Sequence, residues 1–74
     1  MVMNNVSIST EIREVCRSLH VSIAELARRT GQSPQNLNSK LNRESFTIEE
    51  LEAIATSLGI RFERRFVIPK EYNR

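Results

Sequence analysis

The sequence has few of the features that define membrane, secreted or disordered proteins. Its one cysteine excludes an internal disulfide, which fits a reducing cytoplasm. No apolar run exceeds three residues, so we expect no membrane span, and the first ten residues lack the basic and apolar regions of a signal peptide. With 39% hydrophobic residues, the 74-residue chain is too apolar to be disordered. These properties predict one small cytoplasmic domain.

Groups for catalysis or metal binding are equally scarce. Cys16 falls on the apolar side of a predicted helix, and no second thiol or histidine has the spacing of a metal ligand. His20 is the only histidine, and the sequence offers it no partner that would orient a catalytic base. We therefore expect no catalytic site, no metal and no cofactor.

Four stretches of the sequence have the apolar spacing of amphipathic helices. Serine, threonine, glycine and proline at their ends supply start and stop signals. The predicted helices cover about residues 9 to 19, 22 to 31, 34 to 42 and 47 to 59. The predicted fold class is mainly α, a compact bundle of four short helices followed by a C-terminal strand.

Two capping boxes are predicted, at the starts of the second and fourth helices. Ser22 pairs with Glu25 in the first, and Thr47 pairs with Glu50 in the second. In a capping box the hydroxyl accepts from the amide three residues later, and the carboxylate reaches back to the N-cap amide. We expect both halves of each box to form.

The second and third helices are close enough in sequence to form a helix-turn-helix. Ala27 is small where the two helices would cross, and Gly31 can take the positive φ that follows a helix end. Ser33 and Pro34 then restart the chain as N-cap and first helical residue. Two helices joined by a short turn that contains glycine are typical of this motif.

The third helix is predicted to have one apolar and one polar face. Leu37 and Leu41, one turn apart, define the buried face. The exposed face then carries amides, a hydroxyl and a cation, contributed by Gln35, Asn36, Ser39, Asn42 and Arg43. Amides pair with N6 and N7 of adenine, and cations bind phosphates, so this face suits the major groove of DNA.

Charge is distributed unevenly along the chain, although its net value is only +2. Residues 26 to 43 contain no acid and four basic residues, which are Arg28, Arg29, Lys40 and Arg43. Three glutamates follow within residues 49 to 52. This asymmetry indicates a polyanionic partner, although a merely solvated basic face would have the same composition.

The segments SIAELARRTGQSPQNLNSKL and TIEELEAIATSLGI together resemble the phage lambda repressor-like helix-turn-helix regulators, also called the Cro/cI-type or xenobiotic-response-element (XRE) family. The resemblance covers about residues 8 to 60 and implies that helix 34 to 42 is the recognition helix. It implies base contacts by Ser33, Gln35, Asn36 and Ser39. Backbone contacts are expected from Ser22, Ile23 and Asn42 through the resemblance, and from Lys40 and Arg43 through their charge.

The C-terminal tail has strand spacing instead of the fifth helix that many family members use for dimer contact. The apolar residues that alternate with mostly charged ones are Ile60, Phe62, Phe66 and Ile68. An isolated strand leaves its backbone unpaired, so a partner is needed. The favoured partner is the same strand of a second copy. A ladder with the N-terminal segment and a frayed tail are the alternatives. We thus divide the chain into a DNA-binding domain, 1 to 60, and a dimerisation element, 61 to 74.

Three functional hypotheses follow. The leading one is sequence-specific binding of double-stranded DNA by a small homodimeric transcriptional regulator. The second is an antitoxin or adaptor with the same fold, whose C-terminal strand engages another protein. The third, a small enzyme, is the weakest because the sequence offers no catalytic constellation.

Overall fold

The computed structural model describes residues 7–63, which form four α-helices. Their bounds are α1 (Ile8–Leu19), α2 (Ile23–Arg29), α3 (Pro34–Arg43) and α4 (Ile48–Leu58). The predicted four-helix architecture is confirmed, with each helix close to its expected position. In the described part of the chain, no helix combines the length and the apolarity that crossing a membrane requires.

Each of these helices begins at a hydroxyl side chain that caps it. The hydroxyl oxygen accepts a hydrogen bond from the backbone amide three residues later, which satisfies a donor that the helix itself leaves free. The caps are Ser7, Ser22, Ser33 and Thr47, with N–O distances of 3.0, 3.0, 3.0 and 3.1 Å. Three of the four helix starts were thus readable from the sequence, and the fourth lies at Ser7 because α1 begins one residue earlier than expected.

The two predicted capping boxes have different outcomes. Thr47 and Glu50 form the complete box, in which the Thr47 amide donates to Glu50 Oε1 at 2.9 Å. The Ser22 hydroxyl caps α2, but the Glu25 carboxylate does not return to the Ser22 amide. The prediction of the second half of that box was wrong, because arginines one turn further along α2 take both carboxylate oxygens of Glu25.

The core lies where α2 and α3 meet α1 and α4. Leu26, Leu37 and Leu41 are its largest fully buried side chains, and the small Ala27 of α2 is also completely buried. The other core residues are Ile12 and Cys16 from α1 and Leu51, Ile54 and Ala55 from α4. Burial raises the pKa of the Cys16 thiol, which agrees with a packing role.

Leu19 does not join this core, although it continues the apolar spacing of the first helix. Its side chain is 42% exposed. Leu19 is the last residue of α1, and His20 ends the helix in the left-handed conformation, with φ of 60°. Apolar spacing at the last residue of a helix is thus not sufficient for burial.

The C-terminal segment forms no strand between Ile60 and Glu63, where the described residues end. Ile60 is 40% exposed, whereas Phe62 is half-buried and packs against the core. The predicted strand is therefore unsupported in its described part. Phe66 and Ile68, the other predicted dimer contacts, lie outside the described residues.

Candidate nucleic-acid interface

The turn between α2 and α3 has the geometry of a helix-turn-helix connection. Thr30 ends α2, and Gly31 follows with φ of +74°. The Gly31 amide donates to the Arg28 carbonyl at 3.1 Å, and the Gln32 amide donates to the Ala27 carbonyl at 2.9 Å. These bonds satisfy carbonyls at the end of α2 and bring the chain to the start of α3 within a few residues. The predicted role of Gly31 is confirmed.

The two faces of α3 are arranged as the leucine spacing predicted. Leu37 is 0% and Leu41 2% exposed, so the helix is anchored from one side. All four residues expected at bases are exposed, namely Ser33, Gln35, Asn36 and Ser39. Among the described residues, the side chains of Gln35 and Ser39 have no hydrogen-bond partner. The polar face is therefore free to meet a ligand.

The N-terminus of α3 is electrostatically unlike those of the other helices. The first turns of α1, α2 and α4 contain glutamates, but the first turn of α3 contains no acid. The positive end of the helix dipole is thus not offset by a carboxylate on its own first turn. Such a terminus favours a phosphate.

The residues expected to contact the DNA backbone occupy different environments. Ser22 is exposed at the start of α2, and Ile23 beside it is half-buried against the core. Asn42 and Arg43 are exposed in the last turn of α3. Arg43 has no salt bridge within residues 7–63. Its charge is therefore available to a phosphate.

Lys40 differs from the other expected backbone contacts because it is already paired. Its half-buried ammonium forms a salt bridge with Glu50, which also belongs to the capping box of α4. The hydrogen bond from Lys40, and after it the one from the Thr47 backbone, lower the pKa of the Glu50 carboxyl. Lys40 thus links α3 to the start of α4.

The basic segment is less positive than its composition indicated. Arg28 and Arg29 both form salt bridges with Glu25, and Arg29 Nη1 also donates to the Ser57 carbonyl at 3.2 Å, which connects α2 to α4. The Lys40 charge is similarly offset by Glu50. The sequence count of basic residues missed these pairings because Glu25 and Glu50 lie outside residues 26 to 43.

Sequence reasoning missed one residue that contacts the polar face of α3, namely Gln32. Gln32 donates from Nε2 to Thr30 Oγ1 at 2.9 Å, and its Oε1 accepts from Asn36 Nδ2 at 2.7 Å. Gln32 precedes Asn36 by four positions, the spacing at which side chains meet on a helix. Because Gln32 lies in the turn before α3, its four-residue spacing from Asn36 did not indicate a contact in the sequence.

The loop after α3 is fixed to α1 by a contact that the sequence did not suggest. Glu44 ends α3 in the left-handed conformation, with φ of 55°. Its Oε1 accepts from the Ser9 backbone amide at 3.2 Å, and the buried Ser9 hydroxyl donates to the Leu41 carbonyl. The start of α1 therefore holds the end of α3 in place.

Two helices joined through a glycine turn, with a polar and exposed second helix, define a helix-turn-helix DNA-binding domain. Residues 11–63 match the family model described as the Cro/C1-type HTH DNA-binding domain. The match covers most of the chain, so the chain belongs to this family, and the resemblance seen in the sequence is confirmed. Searches of curated proteins and of solved structures each found no match.

Proposed function

We propose that the protein is a sequence-specific transcriptional regulator that inserts α3 into the major groove of double-stranded DNA. The observation that carries this proposal is the division of α3 into two faces. Leu37 and Leu41 hold the helix against the core, while the side chains of Gln35 and Ser39 are exposed and have no hydrogen-bond partner within residues 7–63. A rigid helix with exposed amides and a hydroxyl can read base edges in the major groove.

In this proposal the contacts divide into two groups. Ser33, Gln35, Asn36 and Ser39 meet bases. Ser22, Ile23, Asn42 and Arg43 lie along the sugar-phosphate backbone, and the uncompensated N-terminus of α3 attracts a phosphate. We assign Lys40 a mainly structural role, since its side chain is half-buried and its charge is offset by the salt bridge with Glu50.

Sequence-specific binding would be strengthened by a dimer. Two copies related by a two-fold axis could place their α3 helices in successive major grooves, roughly 34 Å apart. The proposed dimer contacts are Ile60, Phe62, Phe66 and Ile68. Of these, Ile60 is exposed, whereas Phe62 is half-buried and packs against the core of its own domain. The alternative function, an antitoxin or adaptor, depends on the same tail and stays a prediction.

Selection of bound sequences from a random duplex pool tests the proposal directly. We expect the protein to enrich one sequence, with two-fold symmetry if a dimer binds. Thr56→Ala, at an exposed position of α4 away from α3, is the matched control and should select the same sequence. Binding to all duplexes without enrichment would reject sequence-specific reading.

Dimerisation has its own measurement. Analytical ultracentrifugation at micromolar concentration should give the mass of a dimer for the full chain and of a monomer after deletion of residues 64 to 74. The deletion begins at 64 because Phe62 contributes to the core. A monomeric full chain would contradict the proposed dimer and leave DNA binding by α3 untouched.

A further inference from the structure

The orientation of the Asn36 amide is determined by a chain of hydrogen bonds that starts at the end of α2. Thr30 Oγ1 lies 2.9 Å from the Leu26 carbonyl oxygen and 3.1 Å from the Ala27 carbonyl oxygen. Carbonyl oxygens only accept, and a hydroxyl has one proton, so Thr30 must donate that proton to α2. Towards any other neighbour, Thr30 Oγ1 can therefore act only as an acceptor.

This requirement fixes the next group, the amide of Gln32. The atom of Gln32 that lies 2.9 Å from Thr30 Oγ1 must be the nitrogen, because the oxygen could not donate. The amide oxygen of Gln32 consequently faces Asn36. Side-chain amides otherwise fit a site in two orientations, and a network of this kind is what distinguishes them.

Gln32 in turn fixes Asn36. Gln32 Oε1 lies 2.7 Å from the Asn36 side chain, so the facing atom must be the Asn36 nitrogen. A reversed Asn36 amide would place two oxygens at that distance with no proton between them. Asn36 itself is exposed at the side of α3. Within residues 7–63, its oxygen and its remaining N–H have no partner and can meet a ligand.

We propose that Thr30 and Gln32 are positioning residues that make Asn36 select a base presenting an exocyclic amine in the major groove, above all adenine. The inference rests on the proposed function. Adenine offers an N6 donor to the Asn36 oxygen and an N7 acceptor to its remaining N–H. Guanine presents only the acceptors O6 and N7 to the groove. Asn36 could offer guanine a second N–H only if its amide turned over, which would break the hydrogen bond with Gln32.

Four variants test the relay by the preference of the protein at one base pair. Thr30→Val removes the hydroxyl and Thr30→Ser retains it. Gln32→Met keeps the length of the side chain without its amide. Asn36→Ala removes the amide that contacts the base. Each is compared with the wild-type protein by selection from a random duplex pool, followed by titration with duplexes that carry adenine or guanine at the position that Asn36→Ala relaxes.

We expect Thr30→Val and Gln32→Met to lower the preference for adenine over guanine, and Thr30→Ser to keep it. A good amide-base pair gives about fivefold to about 150-fold discrimination between bases, so these two variants should lose up to that factor. Preferences at other base pairs should not change. A merely structural role for Thr30 or Gln32 would weaken binding to every sequence alike.

The side-chain amide resonances of the free protein supply a second readout that does not depend on DNA. Thr30→Val should shift the NMR signals of the Gln32 and Asn36 amide groups, and Thr30→Ser should leave both near their wild-type positions. Unchanged resonances in Thr30→Val would overturn the relay even if that variant bound DNA poorly. Gln32→Met should shift the NMR signals of the Asn36 amide. This variant still tests the relay if Thr30→Val does not fold.

The outcomes separate the relay from the function on which it rests. If the wild-type protein selects a sequence and Gln32→Met selects it with the same preference everywhere, the relay is overturned and the proposed function stands. If the wild-type protein selects no sequence, both fail. A change confined to the base pair read by Asn36 supports both.

Discussion

The inner and outer sides of α3 share one backbone but control different properties of the protein. On the inner side, Leu37 and Leu41 are almost completely buried and hold the helix in the core. On the outer side, Gln35 and Ser39 are exposed and free of internal hydrogen bonds within residues 7–63. Substitutions on the inner side should therefore change stability, and substitutions on the outer side should change binding.

The largest expected effect is on the inner side. Leu41→Ala removes a fully buried side chain and leaves a cavity, so we expect a loss of roughly 2–5 kcal/mol in the free energy of unfolding. Urea denaturation followed by circular dichroism measures it. Gln35→Ala, from the opposite side of the same helix, is the control and should change stability by less than about 0.5 kcal/mol. Equal effects of the two substitutions would contradict the division of α3 into two faces.

The next effect belongs to the outer side. Gln35→Ala should weaken binding to the selected sequence by about 1–3 kcal/mol and relax the preference at one base pair, because an amide-base contact is lost. Titrations with the selected duplex and with single-base variants measure both quantities. If binding to every duplex weakens by the same factor, Gln35 contacts phosphate instead of a base.

A smaller effect distinguishes two cations near the edge of the outer side. Arg43→Ala should reduce the slope of log affinity against log salt by about one unit, since one phosphate contact is lost. Lys40→Ala should change that slope less, because the Lys40 ammonium is paired with Glu50, and should instead destabilise the fold. Fluorescence anisotropy at several salt concentrations measures the slopes. If both substitutions reduce the slope equally, Lys40 contacts the DNA backbone as the sequence predicted.

Local signals in the sequence were sufficient for the helices and for the faces of α3. Caps such as Ser33 and Thr47 act on amides three residues away, and the spacing of Leu37 and Leu41 is set by helix geometry. These features require no knowledge of distant parts of the chain. The starts of three helices and the exposure of Gln35 were therefore predictable.

The contacts between elements could not be predicted in the same way. Glu25 was equally able to cap α2 or to pair with arginines on its own helix, and the sequence did not decide between them. The pairing of Lys40 with Glu50 and the contact of Glu44 with Ser9 join residues from different helices or loops. Alternation in the tail predicted a strand at Phe62, whereas its side chain packs on the core. The last three contacts depend on tertiary packing, whereas the competition at Glu25 is local to α2 and its N-cap.

The smallest expected effect concerns the link between α3 and α4, and it depends on pH. The hydrogen bond from Lys40 is the largest cause of the lowered pKa of Glu50, so the folded protein binds a proton there less readily than the unfolded chain does. The stabilising contribution is therefore complete above the unfolded-state pKa, about 4.3, and is lost as pH falls through the lower folded-state pKa. Glu50→Gln cannot ionise and should show a flatter dependence of unfolding free energy on pH in that acidic range.

Glu49→Gln is the matched control for this measurement. Glu49 lies in the same first turn of α4, is exposed and has no salt bridge within residues 7–63. Urea denaturation at a series of pH values should thus separate the two variants, with Glu49→Gln keeping the wild-type slope. If Glu50→Gln also keeps that slope, the salt bridge with Lys40 contributes nothing measurable. The orientation of α3 would then depend on other contacts, among them the buried inner leucines and the bonds of Ser9 with Glu44 and the Leu41 carbonyl.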